Sequence, residues 1–122
     1  LSKDKIGFNL SILILNVFED VLLSKADNFF QQSERVRKYV EKYLKGVRSE
    51  RPRLFLRMLQ MALQEQNPNI VRTKGEPLLR KLEVTPFPGD AFTEIEIVPY
   101  EHLWDFFLKA LSSKYDNKAN DE

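Results

Sequence analysis

Cysteine is absent from these 122 residues, which excludes a disulfide framework and any thiolate metal site. Histidine occurs once, at His102, so a zinc site would lack the further His or Cys ligands it needs. The four glycines, Gly7, Gly46, Gly75 and Gly89, are isolated, and isolated glycines build no phosphate-cradling loop. The longest uncharged apolar stretch, Gly7 to Phe18, falls short of the ~20 residues that span a bilayer. No secretory leader is expected, because Lys3, Asp4 and Lys5 precede the apolar run and no small-residue cleavage site follows. The expectation is a cytoplasmic chain with no metal, no cofactor and no membrane partner. Because the chain opens on Leu1 rather than Met, a segment of a longer protein is expected.

Apolar residues make up 43% of the sequence and charged ones 30%, ordinary values for one globular domain. The net charge of +1 conceals an asymmetry. Arg35 to Lys81 holds 13 Lys/Arg against 4 Asp/Glu, a balance of +9, whereas Leu82 to Glu122 holds 3 against 9, a balance of −6. A basic middle and an acidic end can attract each other within a fold, or face different partners.

Hydrophobic spacing predicts helices almost throughout. Ile6, Leu10, Leu13, Val17 and Val21 form one stripe of the first helix, and Phe8, Ile12, Leu15 and Leu22 form another on nearly the opposite side. Two stripes predict a central helix covered on both faces, with Ser2 or Asp4 as its cap. The second helix is expected from about Asp27 to Lys45. Its stripe is Phe29, Val36, Val40 and Tyr43, with Phe30 and Leu44 beside it, and Gly46 is placed to end it in a left-handed conformation. The third begins at Ser49, tolerates Pro52 in its first turn and stops at Asn67-Pro68-Asn69. A short fourth helix is expected from Glu76-Pro77 to Leu82.

After a Pro/Gly loop, Thr93 to Val98 alternates, which predicts an extended segment, either a lone strap or one paired loosely with Leu82 to Thr85, with Ile95 and Ile97 inward and Glu94 and Glu96 outward. Pro99 opens the last helix, Tyr100 to about Lys114, with Leu103, Phe107, Ala110 and Leu111 as its stripe. The fold class is therefore mainly α: about five helices stacked as antiparallel helical hairpins, with a short strap before the last. Residues 1–115 are expected to form one helical domain and 116–122 a polar tail.

The closing segment from Glu94 to Trp104, Glu-Ile-Glu-Ile-Val-Pro-Tyr-Glu-His-Leu-Trp, followed by Leu108 and Leu111, resembles the end of uncharacterised bacterial proteins with tetratricopeptide-like helical repeats. Arg53 to Leu59 also sits where that pattern has an apolar helix after basic residues. The resemblance implies the C-terminal part of a helical-repeat protein, all-helical and with no known enzyme activity, and it transfers no catalytic residues.

No nucleophile, base and orienting group converge on any motif, so catalytic, cofactor and metal residues are all expected to be absent. A lone His102 reads as a surface or structural residue. The basic run of Arg35, Arg37, Lys38, Lys42, Lys45, Arg48, Arg51, Arg53 and Arg57, interleaved with Tyr39 and Tyr43, could follow a phosphate backbone. The sequence pI of about 8.1 lies below the ~9 of a dedicated nucleic-acid domain, and the solvated helix face is the preferred reading. Phe87, Phe92, Tyr100, Trp104, Phe106 and Phe107 read as local core before they read as a peptide groove. The expectation is thus a non-enzymatic interaction module for a protein or peptide partner, with Arg48, Arg51, Arg53, Tyr100 and Trp104 as candidate anchors. The alternative is a winged-helix nucleic-acid-binding domain that uses residues 35–57, with residues 82–98 as its wing.

Overall fold

The computed structural model describes residues 3–89 and 95–120. The Ser2 cap, Phe92, the Thr93 and Glu94 half of the strap, and the last two residues of the tail lie outside them. Five α-helices carry the described chain: α1 Lys3–Leu22, α2 Phe29–Tyr43, α3 Glu50–Glu65, α4 Pro68–Val84 and α5 Tyr100–Asn120. Short 3-10 turns, Ala26–Asn28 and Val47–Ser49, lead into α2 and α3. Consecutive helices pack as stacked hairpins, α2 on α3, α3 on α4 and α4 on α5, and α5 returns to touch α1 and α3.

The centre of this arrangement is α3, not α1. Leu54, Phe55, Leu56, Met58, Leu59, Ala62 and Leu63 are all buried, because α2, α4 and α5 approach α3 from different sides. On α1 a single face is covered: Leu10, Leu13, Ile14, Val17, Phe18 and Val21 are inside. Each such burial stabilises the fold by about 1.5–3 kcal/mol over leaving the side chain in water. The second stripe is uncovered, with Phe8 64% and Leu15 67% exposed and Ile12 and Leu22 also at the surface. Phe30, expected beside the α2 stripe, is exposed as well.

Local chemistry accounts for most helix ends. At the end of α1, Ser24 takes a left-handed conformation (φ 55°). The Lys25 amide then donates to the Asp20 carbonyl and the Ser24 amide to the Val21 carbonyl, the pairing that satisfies orphan carbonyls at a left-handed helix end. Gly46 does not play that part in α2. Its φ is −83° and ψ 164°, ordinary extended backbone, and the helix has already ended at Tyr43. At Asn67-Pro68 one helix stops and the next starts at once. The Asn67 side chain accepts from the amides of Asn69 and Ile70, and Pro68 occupies the first turn, where no amide partner is required. Helix α4 thus begins eight residues before the expected Glu76 and continues through Pro77.

Aromatic contacts join α5 to the core. Tyr100 stacks on Phe55 with centroids 4.6 Å apart, and Phe107 meets Phe18 edge-on at 5.3 Å. Gly75 permits the approach of α4 to Trp104. A Cβ there would lie 2.8 Å from the Trp104 ring, closer than carbon atoms tolerate.

Residues 96–99 make a non-helical link into α5, and among the described residues there is no strand. Within that link the expected facing is reversed: Glu96 is 6% exposed and Ile97 87% exposed. Ile95 does point inward, against Gly7 of α1. Helix α5 itself continues to Asn120, past the expected end at Lys114.

Candidate functional site

Between α1 and α2 lies an open groove of about 430 Å³. Its α1 wall is Asn9, Ile12, Leu13 and Asn16, and its α2 wall is Arg35, Lys38, Tyr39, Lys42 and Tyr43. Helical spacing explains both walls. Tyr39 and Tyr43 are one turn apart, so their rings lie together, 5.0 Å between centroids. Arg35, Lys38 and Lys42 follow at i, i+3 and i+7, which sets three cations along one edge.

The groove is tied at one end. The Tyr39 hydroxyl donates to the Ile6 carbonyl of α1. Burial pushes the Tyr39 hydroxyl up to about 12, and the neighbouring Tyr43 adds to the shift. Lys42 lies over the Tyr43 ring at 5.3 Å, within range of a cation–π attraction.

Charge on α2 is divided between two edges. Arg37 bonds both Glu34 and Glu41 at 2.9 Å, so the helix's acids are taken up away from the groove. That contact lowers the Glu34 pKa, chiefly through the hydrogen bond from Arg37. Among the described residues no carboxylate lines the groove or pairs with Arg35, Lys38 or Lys42. The α1 wall carries no charge at all, since none occurs from Gly7 to Phe18. Beyond that wall the exposed stripe of Phe8, Ile12, Leu15 and Leu22 continues the apolar surface. On its far side Phe106 of α5, itself exposed, stacks on Phe18 at 6.1 Å.

The five anticipated anchors lie elsewhere, and three of them are interior. Arg51 is 2% exposed and uses all five of its N–H donors on internal partners. Its Nε and Nη2 meet Glu96 at 3.0 and 2.8 Å, its Nη1 reaches the Leu82 and Thr85 carbonyls at 2.8 and 2.7 Å, and Nη2 also bonds Glu101. The Phe87 ring closes over the guanidinium at 4.4 Å. Burial opposes the charged form, but Glu96 and Glu101 outweigh it and leave the Arg51 pKa above its ordinary value. Glu96 is held in turn by the Tyr100 amide at 2.8 Å, an anion at a helix N-terminus where the dipole favours it.

Tyr100 and Trp104 are equally buried, and burial drives the Tyr100 hydroxyl pKa upward. Arg53 is half-buried and caps the α2 end through the Leu44 and Gly46 carbonyls. Arg48 alone is exposed. The structure thus corrects the assignment: Arg51, Tyr100 and Trp104 are internal ties, Arg51 to α4, the link and α5, Tyr100 to Phe55 of α3 and Trp104 to α4 at Gly75. His102 is exposed on α5. Among the described residues no cluster of His, Asp and Glu could hold a metal, and no helix is long and apolar enough to cross a membrane.

Five of the nine groove residues belong to the basic run and its interleaved tyrosines. The α1 half was hidden because Ile12 and Leu13 look like core. The available signal was Asn9 and Asn16, two turns apart, uncharged polar residues between the two apolar stripes. Comparison of the chain with known protein families, with curated proteins and with solved structures finds no match in any of the three.

Proposed function

We propose that the chain is a non-enzymatic helical interaction module of the helical-repeat kind, which presents α1 and its groove with α2 to a protein partner in the cytoplasm. The observation that carries this reading is the uncovered apolar stripe of α1, Phe8, Ile12, Leu15 and Leu22, continuous with a basic-edged groove. Contiguous apolar surface left open on a folded protein marks an interaction site. Stacked hairpins support the repeat character, since each helix pair in such arrays covers its neighbour and leaves apolar faces at its ends. The absence of cysteine suits a reducing compartment.

The winged-helix alternative draws less support. It asks for a hairpin within residues 82–98, whereas residues 82–84 continue α4 and Ile95 is helical.

A photo-reactive amino acid at Leu15, in the full protein in its own host, tests the proposal. Adducts from α1 to another protein, or to another helix pair of the same polypeptide, are expected. The same probe at exposed Arg72 on α4 should give none. No adduct from Leu15, or equal adducts from both positions, would refute the reading.

A further inference from the structure

We propose that the occupant of the α1–α2 groove is an amphipathic helix with an acidic flank, supplied by a partner protein. This rests on the reading of the chain as an interaction module and adds the chemistry of what it binds. The groove has an apolar floor, Ile12, Leu13, Tyr39 and Tyr43, between unlike walls. One wall is charged and single-signed: Arg35, Lys38 and Lys42. The other is uncharged, with two amides, Asn9 and Asn16, that can serve backbone or side-chain polar groups.

A ligand matching both walls has an apolar stripe for the floor and acids along one edge only. On a helix, acids at i, i+3 and i+7 repeat the spacing of Arg35, Lys38 and Lys42, a run of about 10 Å at 1.5 Å per residue. Laying an apolar helical face into a groove with charged flanks is a recurrent mode of recognition. None of the three cations forms a close ion pair among the described residues, and only Lys38 lies near enough to Glu34 to feel its charge, while the neighbouring Arg37 is doubly paired. An acidic helix would supply what the fold withholds from that edge.

The other occupants fit less well. A second copy seated groove to groove would offer Arg35, Lys38 and Lys42 either cations or the uncharged α1 wall, and no acid. A nucleic-acid strand would find cations on one wall only, and Tyr39 is engaged with the Ile6 carbonyl rather than free to stack. An anionic bilayer presents a flat surface and would leave the recessed floor unfilled.

The test uses the whole chain and a designed helical peptide of about five turns, with a leucine stripe and one glutamate flank. A Glu→Lys copy and a scrambled copy serve as controls. Binding is read by fluorescence anisotropy, and its place by amide chemical-shift changes. The acidic peptide should bind, shift amides of α1 and α2, and weaken as salt rises. Arg35→Glu/Lys38→Glu/Lys42→Glu, three surface reversals with retained helicity checked by circular dichroism, should weaken it by at least about tenfold. The same variant should gain affinity for the Lys-flanked peptide, a charge swap that mere loss of structure cannot produce.

No binding by the acidic peptide at millimolar concentration overturns the proposal, as does equal binding of all three peptides. Preferential capture by single-stranded DNA, or by vesicles of phosphatidylcholine and phosphatidylserine, overturns it too. If the Lys-flanked peptide binds and shifts the α1–α2 amides, the interaction reading stands and the acidic partner falls. Absence of any shift there, together with no adduct from Leu15, removes both.

Discussion

Replacing Arg51 by Met removes a buried guanidinium whose five contacts join α3, the end of α4, the link and α5. The Glu96 carboxylate would keep only the Tyr100 amide, the Leu82 carbonyl would keep only the Thr85 amide, and the Thr85 carbonyl would lose the guanidinium. Breaking a buried ion pair from one side costs about 3–5 kcal/mol, because the other charge stays buried without compensation. Arg51→Met should fall in that range, and Glu96→Leu near its lower end, since Glu101 still faces the guanidinium. Set against a total stability of about 5–15 kcal/mol, either loss is severe. For a chain of this length it corresponds to a fall in Tm of roughly 10–20 °C.

The double variant Arg51→Met/Glu96→Leu separates charge from packing. Removing both partners leaves no fully buried unpaired charge, since the Glu101 carboxylate that also loses Arg51 is partly exposed, only backbone groups that lose a partner at about 1 kcal/mol each. Its loss should therefore be about 1–3 kcal/mol, smaller than either single change. Urea titrations followed by circular dichroism give the three values and the coupling between them. Single losses below about 1 kcal/mol, or a double loss equal to their sum, would refute the reasoning: Arg51 and Glu96 would then be solvated and independent.

The two faces of α1 should respond oppositely: Leu13→Ala is expected to lose about 2–5 kcal/mol and Leu15→Ala to stay within about 0.5 kcal/mol. Similar losses in a denaturant titration would place both residues on one kind of surface. Tyr39 ionises near pH 10 when unfolded and at about 12 when folded. Its contribution to stability is therefore complete below pH 10 and lost as pH rises through 12. Tyrosinate absorbance should show Tyr39→Phe deleting a late-titrating fraction, and deletion of an early one would contradict the burial of its hydroxyl. Ending the chain after Thr93 removes Glu96, Tyr100, Trp104 and Phe107 together, and an aggregating or molten product is expected. A monomeric product with a cooperative melt would show α5 to be an appendage.

Helix ends were the most legible features because their causes are local. Ser49 with Pro52 in the first turn, and Pro99 before Tyr100, act within four residues of themselves, and α3 and α5 begin where those residues indicate. Asn67-Pro68 reads as a stop and is equally a start, since the same Asn67 that follows one helix satisfies the amides of the next. Gly46 shows the limit of the same logic: a glycine permits a left-handed residue but does not require one.

Helical class, the number of helices and the position of most boundaries follow from periodicity and capping, interactions whose range is a turn or two. Which side of a helix is inside does not. The two stripes of α1 are about equally apolar, and the choice between them was made by α2 and α5 packing against Leu10, Leu13 and Val17. The α1–α2 groove exists only as a consequence of that choice. Likewise the alternation of Glu94 to Val98 could not say that Glu96 goes inside. Its partner Arg51 lies 45 residues earlier, and only the docking of α5 against α3 and α4 brings the guanidinium close enough to offset the burial of a carboxylate.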